Sequence, residues 1–295
     1  MESLFYMGRF DEAHDVLQDG LALVRENIGE VNFQVLMLLS YLGGYYAQTG
    51  DYDKALETFE ASVPITMELY GEMSGEMANV YNNLGIGYGE KGDYRKELEF
   101  VQKSLAIRIE LLGPESIEAA MAYGNIGANF EHQGEYDKAL IYLDKAYDLE
   151  LGFYGETHPI IVKRSSTLGS VYGLKGNQDK ALLFKRKALA ASLKIFGKNH
   201  LETARSYNNL GNHYVNVGQP TMAFEYIQKA ENSLNEAFGG VHPYYGAVAA
   251  NMANYFMVTN RPEQGLPYLE KGLEVMKTIF GDRHPETAFM LSQMG

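Results

Sequence analysis

The chain has no cysteine, which excludes disulfides, thiolate nucleophiles and cysteine-ligated zinc or iron–sulfur centres together. It also lacks any run of about 18 apolar residues, the length a helix needs to span a bilayer. Residues Met1 to Glu30 lack the basic start and following apolar stretch of a secretory signal. Positive charge is scarce: 25 Lys and Arg stand against 38 Asp and Glu, a net charge of -13, which opposes generic attraction to nucleic acid or anionic lipid. Catalytic signatures are missing too, since no G-x-S-x-G, H-E-x-x-H, Walker A motif or carboxylate cluster with ligand spacing occurs. The expectation is a non-catalytic cytoplasmic chain with no metal, cofactor, nucleic-acid or membrane partner. Its 295 residues and 46% apolar content are those of a folded protein rather than a disordered or collagenous one.

What is present is a repeat. The segment Tyr81-Asn82-Asn83-Leu84-Gly85 recurs as Tyr207-Asn208-Asn209-Leu210-Gly211, 126 positions on, which is three steps of 42. Stepping by 42 from Gly29 meets Gly71, Gly113, Gly155, Gly197, Gly239 and Gly281; stepping from Gly8 meets Gly50, Gly92, Gly134, Gly176 and Gly218, then Asn260. Every residue before the first series is large and apolar, from Ile28 and Tyr70 to Phe280. Fixed-period self-similarity is the mark of a repeat architecture.

Two helices per unit are predicted. Glycine and asparagine end helices in the left-handed conformation, so the two columns mark two helix ends. Ser74, Ser116, His158, His200, His242 and His284, with Pro159, Pro243 and Pro285 behind three of them, suit N-caps followed by proline at the first helical position. In the first helix of each unit, A, one face groups Leu42, Gly43 and Tyr46, then Leu84, Gly85 and Tyr88, then Leu210, Gly211 and Tyr214. The opposite face carries Asn79, Asn82, Asn83 and Ile86, then Lys163, Ser166, Thr167 and Ser170, then Arg205, Asn208, Asn209 and Asn212. The second helix, B, presents Ala55, Leu56 and Phe59 or Ala139, Leu140 and Leu143 as a stripe. One pair cannot bury both stripes, so units must stack into an all-α solenoid.

These residues, with Gly50-Asp51-Tyr52-Asp53-Lys54-Ala55-Leu56 at the turn, resemble a tetratricopeptide-repeat array. The 42-residue period, with Asn-Leu-Gly on helix A and Gly-x-x-His-Pro between units, is similar to the longer class of kinesin light chains, against a common unit of about 34 residues. The resemblance implies a right-handed superhelix of stacked helix-turn-helix repeats. Six full units are expected at 31–72, 73–114, 115–156, 157–198, 199–240 and 241–282, with 1–30 a partial first repeat and 283–295 the start of another. Both ends cut a unit, Met1 falling in the column of Gly43, so a segment of a longer polypeptide is expected. Lys185 replaces the apolar residue represented by Phe59 and Leu143, Ser165 replaces the tyrosine of Tyr81, Tyr123 and Tyr207, and Pro64 and Pro267 fall inside B helices. Kinks are expected at the prolines, and units 157–198 and 241–282 should be the irregular ones.

Asparagine offers a donor and an acceptor from one short side chain, so an amide face can bond an extended peptide's backbone without reading its sequence. In the kinesin light chain class helix A lines a concave groove, and the resemblance gives the backbone-holding role to Asn83, Asn125, Asn209 and Asn251, with Asn82, Asn208 and Asn212 on the same face. Tyr41 and Thr167 break that column. The alternative is that these amides bond neighbouring helices. Lys163 and Arg205, equivalent in successive units, could capture a carboxylate of the partner or stand solvated.

Unit 157–198 holds nine basic residues and one acidic, while 115–156 holds nine acidic and two basic. Attraction between those repeats explains this better than an acidic partner. The histidines lie one repeat apart, too far to share a metal, and capping accounts for them. Gly87-Tyr88-Gly89-Glu90-Lys91-Gly92 matches G-x-G-x-x-G but follows no strand, so no dinucleotide loop is expected. The leading expectation is an adaptor or scaffold module that binds an extended peptide segment of a protein partner, with Ile86 and Met257 supplying pockets. A regulatory sensor arm of a larger signalling ATPase or caspase-like protease, with an intramolecular partner, is the alternative, and a mere spacer is the third.

Overall fold

Glycine at fixed intervals sets the architecture. In the computed structural model, which describes residues 10–282 and 284–294 with side chains from 14 onward, every regular element among the described residues is helical. Gly8 and the half helix expected around Met1 lie outside the described residues. The A helices are α2 (Phe33–Gln48), α4 (Gly75–Glu90), α6 (Ile117–His132), α8 (Pro159–Leu174), α10 (Leu201–Asn216), α12 (Tyr245–Val258) and α14 (Pro285–Ser292). The B helices are α1 (Phe10–Ile28), α3 (Tyr52–Tyr70), α5 (Tyr94–Leu112), α7 (Tyr136–Tyr154), α9 (Gln178–Phe196), α11 (Pro220–Phe238) and α13 (Leu266–Phe280). The chain divides into two compact units, Met1–Leu149 and Glu150–Gly295. No helix among the described residues is long and apolar enough to cross a membrane.

The two glycine columns end helices in different ways. Behind each A helix, the amide of the residue after the glycine reaches back to the aromatic column: Asp51 N–H to Tyr46 C=O at 2.8 Å, Asp93 to Tyr88 at 2.9 Å, Asn177 to Tyr172 at 2.8 Å and Arg261 to Phe256 at 2.8 Å. This is the six-to-one bond of a Schellman cap, which needs a positive φ at the residue between. Asn260 supplies it at φ 58° and is the one positive-φ residue other than glycine among the described residues. Behind the B helices the expected left-handed cap occurs at Gly239 (φ 63°, ψ 20°), whereas Gly71 (φ 79°, ψ 174°), Gly113 (φ 89°, ψ 161°) and Gly281 (φ 82°, ψ 176°) pair positive φ with extended ψ. Only glycine enters that region without strain, which is why asparagine enters the first column and not the second.

Starts follow the predicted grammar except at α12, which begins at Tyr245 with Tyr244 as its N-cap and no side-chain cap bond, so that Pro243 lies in a turn ahead of the helix and not at its first position. Ser74 and Ser116 side chains accept from the amides of Met77 and Ala119 at 3.2 Å each. The Nδ1 atoms of His158, His200, His242 and His284 accept from the amides two residues on, at 3.3, 3.2, 3.0 and 3.2 Å. Each ring also meets the aromatic residue four positions earlier, with centroids 4.0 Å apart for Tyr154–His158, 4.4 Å for Phe196–His200, 4.4 Å for Phe238–His242 and 4.3 Å for Phe280–His284. The apolar residue before each glycine therefore braces the next helix's cap.

Within a pair, a glycine on A receives a bulky side chain from B. A Cβ on Gly43 would sit 2.3 Å from the Phe59 ring, one on Gly127 2.6 Å from Leu143, and one on Gly211 2.4 Å from Ile227. The glycines of the G-x-G-x-x-G match are packing and turn positions: Gly87 meets Leu56, Gly89 meets the Glu97 carboxylate, and Gly92 has φ 83°. Unit 241–282 is irregular as expected. Its B helix is split into a 3-10 turn, Pro262–Gln264, and α13, where Pro267 lies in the first turn. Pro64 interrupts nothing, and α3 runs unbroken around it. In unit 157–198 the backbone stays regular and the irregularity is chemical. Lys185 is buried against Gly169, and the buried Ser165 hydroxyl has no hydrogen-bond partner among the described residues.

Candidate functional site

The polar side of the A helices is built from two adjacent columns whose amides bond across helices. In the first unit, Asn125 Nδ2 donates to Asn82 Oδ1 at 2.6 Å, and Asn83 Nδ2 to Ser40 Oγ at 3.4 Å. In the second, Asn251 Nδ2 donates to Asn208 Oδ1 at 3.0 Å, and Asn208 Nδ2 to Tyr244 Oη at 3.0 Å. The register is constant at 43 residues: the column of Asn83 on one A helix reaches the column of Asn82 on the preceding one.

The alternative weighed from the sequence thus holds for part of the set. Asn208 is 3% exposed and spends its amide inside the protein, so it is a structural residue. Asn82, Asn83, Asn125 and Asn251 are half-buried and keep part of their capacity, because an amide has two donors and two acceptor lone pairs. Asn209 and Asn212 are half-buried, and their side chains make no hydrogen bond to the described residues.

Lys163 is exposed and has no carboxylate partner among the described residues. Arg205 is engaged more than its sequence position suggested: its guanidinium lies over the Tyr244 ring at 5.0 Å, and its Nε is 3.7 Å from Glu202 Oε1. It borders a cavity of about 300 Å³ lined by His242, Tyr244, Phe280, Phe289 and Met290. Burial, then the nearby Arg205 charge, lowers the His242 pKa, which suits a neutral ring accepting from the Tyr244 amide in the turn before α12. Ile86 and Met257 are exposed and line neither this cavity nor the one between α2 and α4.

Among the described residues five charged side chains are buried, Glu97, Arg108, Glu150, Arg164 and Lys185, and of these the sequence singled out only Lys185 as a departure from its column. Arg164 on α8 forks onto Glu150, Nε to Oε2 at 3.0 Å and Nη2 to Oε1 at 2.7 Å, with Glu150 wholly buried. This pair is one of the attractions expected between the acidic and basic repeats. One repeat earlier, the column of Glu150 holds Arg108. Its Nε donates to Ser104 Oγ at 3.1 Å, its Nη1 to the Glu118 carbonyl at 3.1 Å and its Nη2 to Asn79 Oδ1 at 2.8 Å. One repeat before that the column holds Thr66, and the space between α2 and α4 is an open slot of about 300 Å³. The signal for this was in the sequence, in the series Thr66, Arg108, Glu150, but only along one column from repeat to repeat and not within one helix.

Comparisons with known proteins agree with the repeat fold. Two family models described as tetratricopeptide repeat match the chain, one at residues 34–110 and 118–194, the other at 203–244 and 247–286. A comparison with curated protein sequences returned no match. Among solved structures, BtubC (BKLC) from P. vanneervenii is 20% identical, covering 79% of this chain and 94% of its own, with a TM-score of 0.67. The kinesin light chain nearly identical TPR-like repeats from Podosopora anserina are 18% identical over 69% of this chain and 96% of theirs, TM-score 0.58. The apo form of RapI is 17% identical over 94% and 95%, TM-score 0.65. At such identities the likeness is one of fold.

Proposed function

The chain belongs to the tetratricopeptide-repeat family, whose repeats mediate protein–protein interaction, and on that premise we propose that it binds an extended segment of a partner protein along the polar face of its A helices. Fold alone names no ligand. The observation that carries the reading is the division of labour among the asparagines. The column of Asn83, Asn125 and Asn251 bonds adjacent A helices, while the side chain of Asn209 in that same column, and that of Asn212, make no hydrogen bond to the described residues. An extended peptide brings unpaired backbone N–H and C=O groups, and a half-buried amide with both donor and acceptor free meets them at low entropic cost because the ladder has already fixed its neighbours. Lys163, exposed, and Arg205, held flat on Tyr244, supply positive charge in the second unit for an acidic group of the guest.

The test uses peptides selected by the chain from a displayed random library. Asn209→Ala and Asn212→Ala each weaken the selected peptide several-fold without lowering the melting temperature, since neither side chain holds the protein together. Asn208→Ala lowers the melting temperature as well. Undiminished binding by a folded Asn209→Ala/Asn212→Ala double variant overturns the reading.

A further inference from the structure

We propose that the slot between α2 and α4 is a side-chain pocket selecting a bulky apolar residue that carries a lysine or arginine beside it in an extended partner segment. This rests on the peptide-binding reading above and adds a specificity that reading lacks.

Helix α2, Phe33–Gln48, has no charged side chain. Val35, Leu39 and Leu42 are buried on its inner side, yet Phe33, Met37 and Tyr41, spaced four apart, are 58%, 40% and 42% exposed on the other. A helix that is apolar all round is normally covered on both sides, and contiguous exposed apolar side chains mark an interaction site. These three side chains form one wall of the slot of about 300 Å³, and Val80 and Asn83 of α4 line the opposite side, with Phe59 and Thr66 of α3 between. That volume lies at the small end of ligand sites and suits one side chain.

Its openness has a cause inside the repeat. At the next junction the residue equivalent to Thr66 is Arg108, buried and bonded across to Asn79 of α4 and to the Glu118 carbonyl of α6. The protein therefore fills this space where it does not need it and leaves it empty between α2 and α4. Arginine only donates, so Asn79 must turn its carbonyl to Arg108, leaving its NH2 to donate at the slot that it also lines.

Charge then chooses the guest. Glu76 is the one charged residue lining the slot, it has no cationic partner among the described residues, and no cation lies on the wall opposite. From 31 to 90 the chain carries eight Asp and Glu residues and one lysine, Lys54, whose Nζ is already held by Asp51 at 2.8 Å. A basic group beside the anchoring side chain is thereby attracted, and an acidic one repelled. The second unit, with Lys163 and Arg205, has the opposite preference.

The experiment selects a displayed random-peptide library on the wild-type chain and measures the enriched peptide by fluorescence anisotropy. Enrichment of an apolar residue next to lysine or arginine is expected. Thr66→Arg, which copies Arg108, should abolish binding of that peptide. Glu76→Lys, an exposed change that spares the fold, should weaken it by about tenfold or more and should select acidic neighbours instead. Peptides enriched without a basic neighbour, or bound equally by both variants, overturn this inference and leave the peptide-binding reading standing. No enriched peptide overturns both. A chain that dimerises, and becomes monomeric in Thr66→Arg, overturns the inference in favour of a second copy as occupant.

Discussion

Arg108 and Glu150 stand in the same column of successive repeats, buried between helices, with opposite charges. Glu150 receives a two-pronged guanidinium from Arg164 on the following A helix, whereas Arg108 finds only a hydroxyl, a carbonyl and an amide. The residue that would face Arg108 as Arg164 faces Glu150 is Ala122. A third junction is barer still: Lys185 is buried with no carboxylate against it, and desolvation pushes its pKa down to about 8. One scaffold thus houses a paired charge, a charge satisfied by neutral groups and an uncompensated one. The difference teaches that this repeat's geometry tolerates buried ions, while what each costs is set by its neighbours in the next unit.

The largest effect should come from breaking the pair. Arg164→Ala leaves Glu150 buried and unpaired, at a cost of about 3–5 kcal/mol. Replacing both, as Arg164→Met/Glu150→Leu, should be near neutral, and urea denaturation of the single and double variants checks both statements. Because stability in such arrays is a sum over neighbours, the single variant should also split the transition.

Next is Lys185→Leu. The Gly127–Leu143 pair shows that this column accepts leucine, and removing the buried amine should stabilise by about 2–3 kcal/mol at neutral pH. The folded-state pKa lies below the unfolded one, so unfolding takes up protons between about 8 and 10.5 and wild-type stability rises across that window. The advantage of the variant should therefore shrink toward pH 10 in paired denaturation curves. A gain that stays constant with pH would show that Lys185 titrates alike in the folded and unfolded states and would contradict this account.

Ala122→Glu offers Arg108 the carboxylate it lacks. A charged hydrogen bond contributes about 1.5–3 kcal/mol and overfilling a buried site costs about 1–3 kcal/mol, so a net gain of about 1 kcal/mol or less is expected by thermal melting. The smallest change concerns Glu97, which occupies a column otherwise held by alanines such as Ala55 and Ala139. Burial raises its carboxyl pKa, the hydrogen bond from Asn129 opposing this. Its ionised form therefore weakens the fold above that pKa. Glu97→Gln should stabilise slightly at neutral pH, with the gain gone below about 4.5, the unfolded value.

Helices, their ends and the facing of the B stripe to the glycine-bearing side of A were legible in the sequence because each depends on a residue type recurring at 42-residue intervals. The roles of individual asparagines were not. Asn208 and Asn209 are adjacent and chemically identical, yet Asn208 is bonded to Tyr244 and Asn251 of the following repeat, while the side chain of Asn209, whose column elsewhere bonds the preceding A helix, has no partner among the described residues. The slot escaped notice for a similar reason. Thr66 looks unremarkable until Arg108 shows what its place can hold, and no single helix carries that contrast. The ψ angles of the B-helix glycines were equally hidden, since composition reports that φ is positive but not which way the chain leaves.

The most direct test of where the guest lies is photo-crosslinking with a library-selected peptide bearing a benzophenone at each position in turn, followed by mapping of the joined residues. Crosslinks to A-helix positions such as Tyr41, Asn83, Asn209 and Asn212 are predicted. Crosslinks confined to the B helices α3, α5, α9 or α11 would contradict the assignment of the binding face.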